Sequence, residues 1–102
     1  MVMIYHNRTN RFIQLLYIMY DNEEKYLKRL GNNISRIRKL KGLSQLDVCA
    51  TISMDKPNLS SIENGRQNPT TLTLKKIADA IGVEVKEFFS FNDEAKKEEK
   101  NN

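Results

Sequence analysis

The chain has 102 residues and a formal net charge of +4, which fits one soluble domain with a modest core. Its longest apolar run, FIQLLYIMY at residues 12–20, is about half as long as the ~20 residues of a membrane span, and no signal cleavage site follows it. The single cysteine, Cys49, excludes an internal disulfide and fits a reducing cytoplasm. We therefore expect a cytoplasmic protein without a membrane segment.

The first predicted helix runs from about Glu23 to Lys41. Asp21 or Asn22 is placed to cap its start, and Gly42 is placed to end it. Apolar residues recur along it at steps of three and four, the period of one helix face. They are Tyr26, Leu30, Ile34, Ile37 and Leu40.

Two shorter helices follow, separated by a few residues. Ser44 and Asp47 have the spacing of a capping box at the start of the second helix. Asp55 caps the third, and Pro57 lies in its first turn, where a missing N–H costs little. Two helices joined by such a turn are typical of a helix-turn-helix, whose second helix can enter the major groove of DNA. A helical hairpin without a ligand is the alternative.

Thr70 or Thr71 caps a fourth predicted helix that ends at Gly82, and a short fifth helix covers about residues 85–90. Outside the first 20 residues no β pattern of useful length occurs. The predicted fold is all-α, a compact five-helix bundle with an extra N-terminal segment. The predicted division is residues 1–20 as an N-terminal extension, 21–91 as a helix-turn-helix domain and 92–102 as a charged, flexible tail.

The basic charge lies mainly in the middle of the chain. Residues 31–76 contain eight Lys or Arg and three Asp or Glu, whereas residues 77–102 contain four and seven. A local excess of this kind suits a polyanionic partner, and nucleic acid is the usual one. A solvated basic face is the simpler alternative.

Four motifs occur within this basic segment and just after it. They are IxxIR over residues 34–38, GLSQ over 42–45, LSSIENGRxNP over 59–69 and LxxIADAIGV over 74–83. In this order and spacing, they make residues 31–83 resemble the phage-repressor (Cro/repressor-like) helix-turn-helix family. The resemblance implies a bacterial or phage transcriptional regulator that binds double-stranded DNA as a homodimer.

Three positions depart from the family pattern. Ser53 stands at the turn position where glycine is usual, so its backbone is less free to adopt a positive φ. Cys49 replaces the small residue, usually alanine, at the point where the two helices cross, which favours a packing role. Leu46 is apolar at an outward position that is usually polar.

The resemblance also implies a role for individual residues. Those facing base edges would be Lys56, Pro57, Asn58 and Ser61. Those holding phosphates would be Gln45, Asn64, Arg66, Gln67, Arg38 and Lys41. Arg38 would also pair with Glu63, which would orient the third helix and shield the carboxylate from phosphate. The dimer interface would contain Phe88, Phe89 and Phe91.

Enzymatic functions find little support in the sequence. His6 is the only histidine, no second ligand accompanies Cys49, and the four glycines form no phosphate-binding loop. We predict no catalysis, no metal and no cofactor. The alternative to a regulator is an antitoxin-like module that binds a toxin and contacts DNA only secondarily. Leu46, the apolar N-terminal run and the acidic C-terminus would be its binding surfaces.

Three interpretations compete for the first 20 residues. They form an arm packed on the bundle, a dimerisation arm, or an extension produced by an over-long start-codon assignment. Met19 lies just before the predicted first helix, so initiation there would still give the complete family domain.

Overall fold

The computed structural model describes residues 8–90, with side chains described from residue 11 onward. Within this range the elements are α1 (Arg8–Leu40), α2 (Gln45–Ile52), α3 (Lys56–Glu63), α4 (Thr71–Ile81) and a terminal 3-10 helix (Val85–Phe89). The predicted all-α class is confirmed. The fifth element is a 3-10 helix, so the described bundle has four α-helices instead of five. No helix within residues 8–90 is long and apolar enough to cross a membrane.

Short polar side chains begin α2, α3 and α4, as predicted. The Ser44 hydroxyl accepts the Asp47 N–H at 3.0 Å, and the Asp47 carboxylate accepts the Ser44 N–H at 2.8 Å. These bonds hold the pKa of Asp47 below its ordinary value. The Asp55 carboxylate accepts the Asn58 N–H at 2.8 Å, and Thr70 caps α4 in the same way. Each such cap is worth about 1 kcal/mol.

The first helix is longer than predicted. It is already helical at Arg8, the first described residue, so the predicted start near Glu23 is wrong, and the predicted domain boundary at residue 20 falls inside α1. Residues 8–30 contain neither glycine nor proline, so nothing in the sequence stops the helix. Asp21, predicted as a cap, instead pairs with Lys25 one turn along at 3.1 Å, which supports the helix.

The core lies where residues 30–37 of α1 pack against α3 and the terminal 3-10 helix, and where α2 packs against α3 and α4. Its buried residues are Leu30, Ile34, Ile37, Val48, Cys49, Leu59, Ile62, Leu74, Ile77, Ala78, Ile81 and Phe88. Two residues of the predicted inner face of α1 lie outside this core. Tyr26 is 48% exposed and Leu40 is 72% exposed, because the core covers α1 only from about residue 30 to residue 37.

A buried amide attaches the terminal 3-10 helix to α1. Asn33 donates from Nδ2 to the carbonyl oxygens of Glu87 at 3.1 Å and Phe88 at 2.8 Å. The oxygen of the same amide, Oδ1, accepts a hydrogen bond from Arg36 Nη2 at 2.6 Å. Because a buried amide costs free energy when its bonds are unmade, Asn33 fixes the position of the last turn of the bundle.

The turn between α2 and α3 uses a strained backbone conformation. Ser53 has φ of 54° and ψ of 44°, the left-handed region in which glycine is favoured. The Met54 N–H donates to the Cys49 carbonyl at 3.1 Å across this turn. Serine at position 53 therefore adopts the same left-handed conformation that the glycine usual at this position would favour.

Candidate nucleic-acid interface

The start of α3 is open to solvent. Lys56 and Pro57 are exposed, and Asn58 and Ser61 are half-buried. The N–H of Asn58 is held by the cap at Asp55, whereas its side-chain amide makes no hydrogen bond within residues 8–90. An amide with both donor and acceptor unused can bind a base edge. The four residues predicted to read bases thus share the first two turns of one helix.

Most of the residues predicted to hold phosphates are accessible to solvent. The predicted members of this set on the surface are Lys41, Gln45, Asn64, Arg66 and Gln67. Gln45 is the first residue of α2, where unpaired N–H groups and the helix dipole favour an anion. The amide of Asn64 donates to the Ser60 carbonyl at 2.8 Å, which fixes its direction.

A buried ion pair joins α1 to the end of α3. Arg38 donates from Nε to Glu63 Oε2 at 2.8 Å and from Nη2 to Oε1 at 3.0 Å. Arg38 also donates to the Leu43 carbonyl at 2.7 Å, and Gln45 Nε2 donates to Glu63 Oε1 at 2.9 Å. The two charged side chains are 7% and 4% exposed. The hydrogen bond to Glu63 raises the pKa of Arg38, so the guanidinium stays charged. The structure brings together the two residues predicted to pair.

Two predicted surface roles disagree with the structure. Arg38 cannot hold a phosphate in this fold, because its guanidinium is buried and bonded to Glu63 and Leu43. Phe88 is 0% exposed, because its ring completes the core, so it is not a surface residue of a dimer interface. Phe89 is 37% exposed, and Phe91 lies outside the described residues.

The comparison with known proteins decides the family. Residues 34–88, more than half of the chain, match the family described as Helix-turn-helix (HTH_3). The chain belongs to the helix-turn-helix family. The predicted resemblance to repressor-like regulators is confirmed.

The relatives of this helix-turn-helix protein are regulators and control proteins. The uncharacterized HTH-type transcriptional regulator y4dJ of Sinorhizobium fredii is 43% identical over 67 residues, which cover 66% of this chain and 87% of that protein. Control protein C.MunI of a Mycoplasma species is 41% identical over 63 residues, covering 61% of this chain and 85% of that protein.

A solved structure gives the same result. The restriction-modification controller protein C.AhdI from Aeromonas hydrophila aligns with a TM-score of 0.59 and 27% identity, over 61% of this chain and 94% of that chain. All three are named as regulators or control proteins, and none of the three supports the antitoxin alternative.

Two glycines bring α1 and α3 of the helix-turn-helix close together. Gly31 is buried inside α1, and a Cβ there would lie 2.6 Å from the Glu63 carbonyl oxygen. Gly65 has φ of 72°, and a Cβ there would lie 2.6 Å from the Cα of Lys28. Neither contact was predicted from the sequence. The available signal was Gly31 itself, because a glycine inside a helix costs about 1 kcal/mol relative to alanine and so needs a reason.

Cys49 has a packing role in the helix-turn-helix core. Burial raises the pKa of its thiol, and the nearby carboxylates of Asp55 and Glu63 act in the same direction. A neutral, buried thiol behaves as a small apolar group. Residues 8–90 contain no group of three or more His, Cys, Asp or Glu that could hold a metal, and His6 lies outside this range.

Proposed function

We propose that the protein binds a pseudo-palindromic operator as a homodimer in the cytoplasm, with α3 of each copy in a major groove. As a member of the helix-turn-helix family with regulators among its relatives, it is a sequence-specific DNA-binding transcriptional regulator. The single observation that carries the finer proposal is the buried, bidentate contact between Arg38 and Glu63, which fixes α3 on the bundle. A helix held in this way has one fixed orientation on the bundle, so each of its exposed side chains would meet a defined base pair in the groove.

The same ion pair makes the end of α3 compatible with DNA. An unpaired carboxylate at Glu63 would repel the phosphates beside the groove. Both of its oxygens instead accept hydrogen bonds, from Arg38 and from the Gln45 amide. Lys56 in α3 and Arg66 just after it keep exposed positive charges, which attract phosphates and would release counterions from the DNA on binding.

Base readout is assigned to four residues at the start of α3. Asn58 can form paired hydrogen bonds with adenine, and Lys56 can donate to guanine. Pro57 offers an apolar surface to a thymine methyl group, and the Ser61 hydroxyl can donate or accept. The exposure of Lys56 and Pro57 and the unused side-chain amide of the half-buried Asn58 support this assignment.

Replacing Asn58 by alanine tests the readout. We expect Asn58→Ala to weaken binding to the selected operator by about 1–3 kcal/mol, because one paired base contact is lost. Binding to random duplex at the same salt should hardly change. The operator is first obtained by selection from random duplexes, and both affinities are then measured by fluorescence anisotropy. Equal losses on the two DNAs would mean that Asn58 does not read a base.

Replacing Arg66 by alanine tests the phosphate contacts. We expect Arg66→Ala to weaken operator and random binding together, and to make the slope of log K against log salt shallower by about one unit. Lys86→Ala is the matched control, because it removes one exposed positive charge on the terminal 3-10 helix, outside the proposed DNA contacts. An unchanged slope in Arg66→Ala would remove this residue from the phosphate contacts.

The dimer interface is assigned to the surface around Phe89, with Phe91 beyond it. Phe89 lines an apolar groove of about 550 Å³ together with Tyr26, Leu27 and Pro69. In a two-fold dimer, both copies would use this same groove, so the groove of one copy would pack against the groove of the other. The two α3 helices would then read half-sites one DNA turn apart, roughly 34–36 Å.

Replacing Phe89 by serine tests this interface. The core should survive, because Phe88 fills it and Phe89 is partly exposed. We expect wild-type protein to occupy the two half-sites of one operator cooperatively, and Phe89→Ser to occupy them independently. Gel-shift titration counts the bound copies. If Phe89→Ser still occupies the two half-sites cooperatively, the contact between the two DNA-bound copies lies elsewhere on the protein.

A further inference from the structure

One side-chain hydrogen bond joins the two ends of the helix-turn-helix that lie farthest along the chain from its turn. Gln45 is the first residue of α2, and Glu63 is the last residue of α3. Gln45 Nε2 donates to Glu63 Oε1 at 2.9 Å, across 18 positions of the chain. The turn at residues 53–55 joins the other ends of the same two helices. The pair of helices is therefore held both at its turn and at its open end.

Two attachments at opposite ends fix the angle between the helices. Each helix has eight residues, which corresponds to about 12 Å of length. With the turn as a pivot, a shift of about 1 Å at Glu63 would rotate α3 by about 5°. Lys56 lies next to the pivot and Ser61 lies near the other end, so such a rotation would move them by different amounts. They would then no longer meet their base pairs together.

The attachment of α2 is what Gln45 adds to the buried ion pair. Glu63 already accepts two hydrogen bonds from Arg38 of α1, at 2.8 and 3.0 Å, and its side chain is 4% exposed. The charge of Glu63 is therefore balanced without Gln45, whose amide is neutral. Arg38 reaches only the loop before α2, through the Leu43 carbonyl at 2.7 Å. The bond from Gln45 ties α2 itself to the end of α3.

We propose that Gln45 is a positioning residue for base recognition, whose side chain acts through Glu63 instead of holding a phosphate. This inference rests on the proposed function, because it concerns how α3 reads the operator. The resemblance to repressor-like proteins implies a phosphate contact for Gln45, yet its amide nitrogen donates to the carboxylate of Glu63. A phosphate contact through the second N–H of this amide is the competing role. Phosphate contacts carry no sequence information, so the two roles predict different effects on operator and random DNA.

Replacing Gln45 by methionine tests the two roles, because methionine has a similar length and cannot make the bond. We expect Gln45→Met to lower operator affinity about tenfold or more, the size of one lost base contact. Affinity for random duplex at the same salt should hardly change. Gln67→Met is the matched control, since Gln67 is half-buried as well and is also predicted to hold a phosphate. It should lower both affinities by the same factor. Circular dichroism gives the folded fraction, and affinities are expressed per folded molecule.

A second measurement tests whether Gln45 acts through Glu63. In a protein with both Arg38→Met and Glu63→Leu, the carboxylate is absent and Gln45 has no partner in α3. Adding Gln45→Met to this background should leave operator affinity unchanged, because the effects of two residues that act through one contact are not additive. A residue that holds a phosphate would instead lower the affinity here as much as in the wild-type protein.

Equal losses on operator and random DNA, or a further loss in the background without Glu63, overturn the proposal and assign Gln45 to a phosphate. A Gln45→Met protein that binds both DNAs normally also overturns it, as does one that does not fold, since the bond would then serve stability. Failure of the proposed function has a different signature, because the wild-type protein itself would then show no preference for the selected operator over random duplex.

Discussion

Replacing Arg38 by methionine is expected to destabilise the protein by about 3–5 kcal/mol, because it leaves the Glu63 carboxylate buried with one neutral donor. The bidentate bonds at 2.8 and 3.0 Å disappear, as does the bond from Arg38 to the Leu43 carbonyl. Only the Gln45 amide remains on Glu63. Urea denaturation measures the loss.

An exposed ion pair in the same chain provides the control. Lys75 and Asp79 on α4 are 2.6 Å apart, a shorter contact than the one in the core, but both side chains are 60% exposed. We expect Lys75→Met to cost about 0–1 kcal/mol, because water already solvates both charges. Similar losses in the two variants would show that burial contributes little to the effect of Arg38.

A double replacement separates stability from positioning. Arg38→Met with Glu63→Leu removes both charges and should regain much of the lost stability, because apolar side chains of similar size often replace a buried pair without penalty. If the pair orients α3, operator binding should stay weak in this refolded variant. Full recovery of operator affinity together with stability would limit the pair to a structural role.

The features of the fold that depend only on residues close together in the chain were predicted from the sequence. Ser44, Asp55 and Thr70 cap their helices because each needs only an N–H three residues along the chain. The contact between Arg38 and Glu63 was also predicted, but from the resemblance to repressor-like proteins. No local rule connects two residues that are 25 positions apart.

Other features depend on how much of each helix the bundle covers. The sequence carried an acceptable cap at Asp21 and no signal against a longer helix, so the helical turns between Arg8 and Asn22 were missed. Arg38 was assigned to phosphate as well as to Glu63, and burial excludes the first role. Phe88 and Phe89 are adjacent and identical in type, and only packing puts the first in the core and leaves the second at the surface.

Replacing Gly31 by alanine is the sharpest test of the α1–α3 crossing, because helix propensity and packing predict opposite signs. Alanine is favoured over glycine inside a helix by about 1 kcal/mol. At this position, however, a Cβ would meet the Ile62 carbonyl oxygen and lie 2.6 Å from that of Glu63. Backbone carbonyls cannot rotate away as a side chain can, so the two helices must separate.

We expect Gly31→Ala to lose about 3 kcal/mol of stability, at the upper end of the cost of overpacking. Asn32→Ala is the matched control, since Asn32 is the next residue of α1 and is exposed. It should be neutral or stabilise the protein by a few tenths of a kcal/mol through propensity alone. Thermal denaturation of both variants gives the comparison. Stabilisation by Gly31→Ala would contradict the close crossing. If only Gly31→Ala loses stability and its folded fraction also binds the operator more weakly, the absence of a side chain at residue 31 is needed to position α3 on DNA.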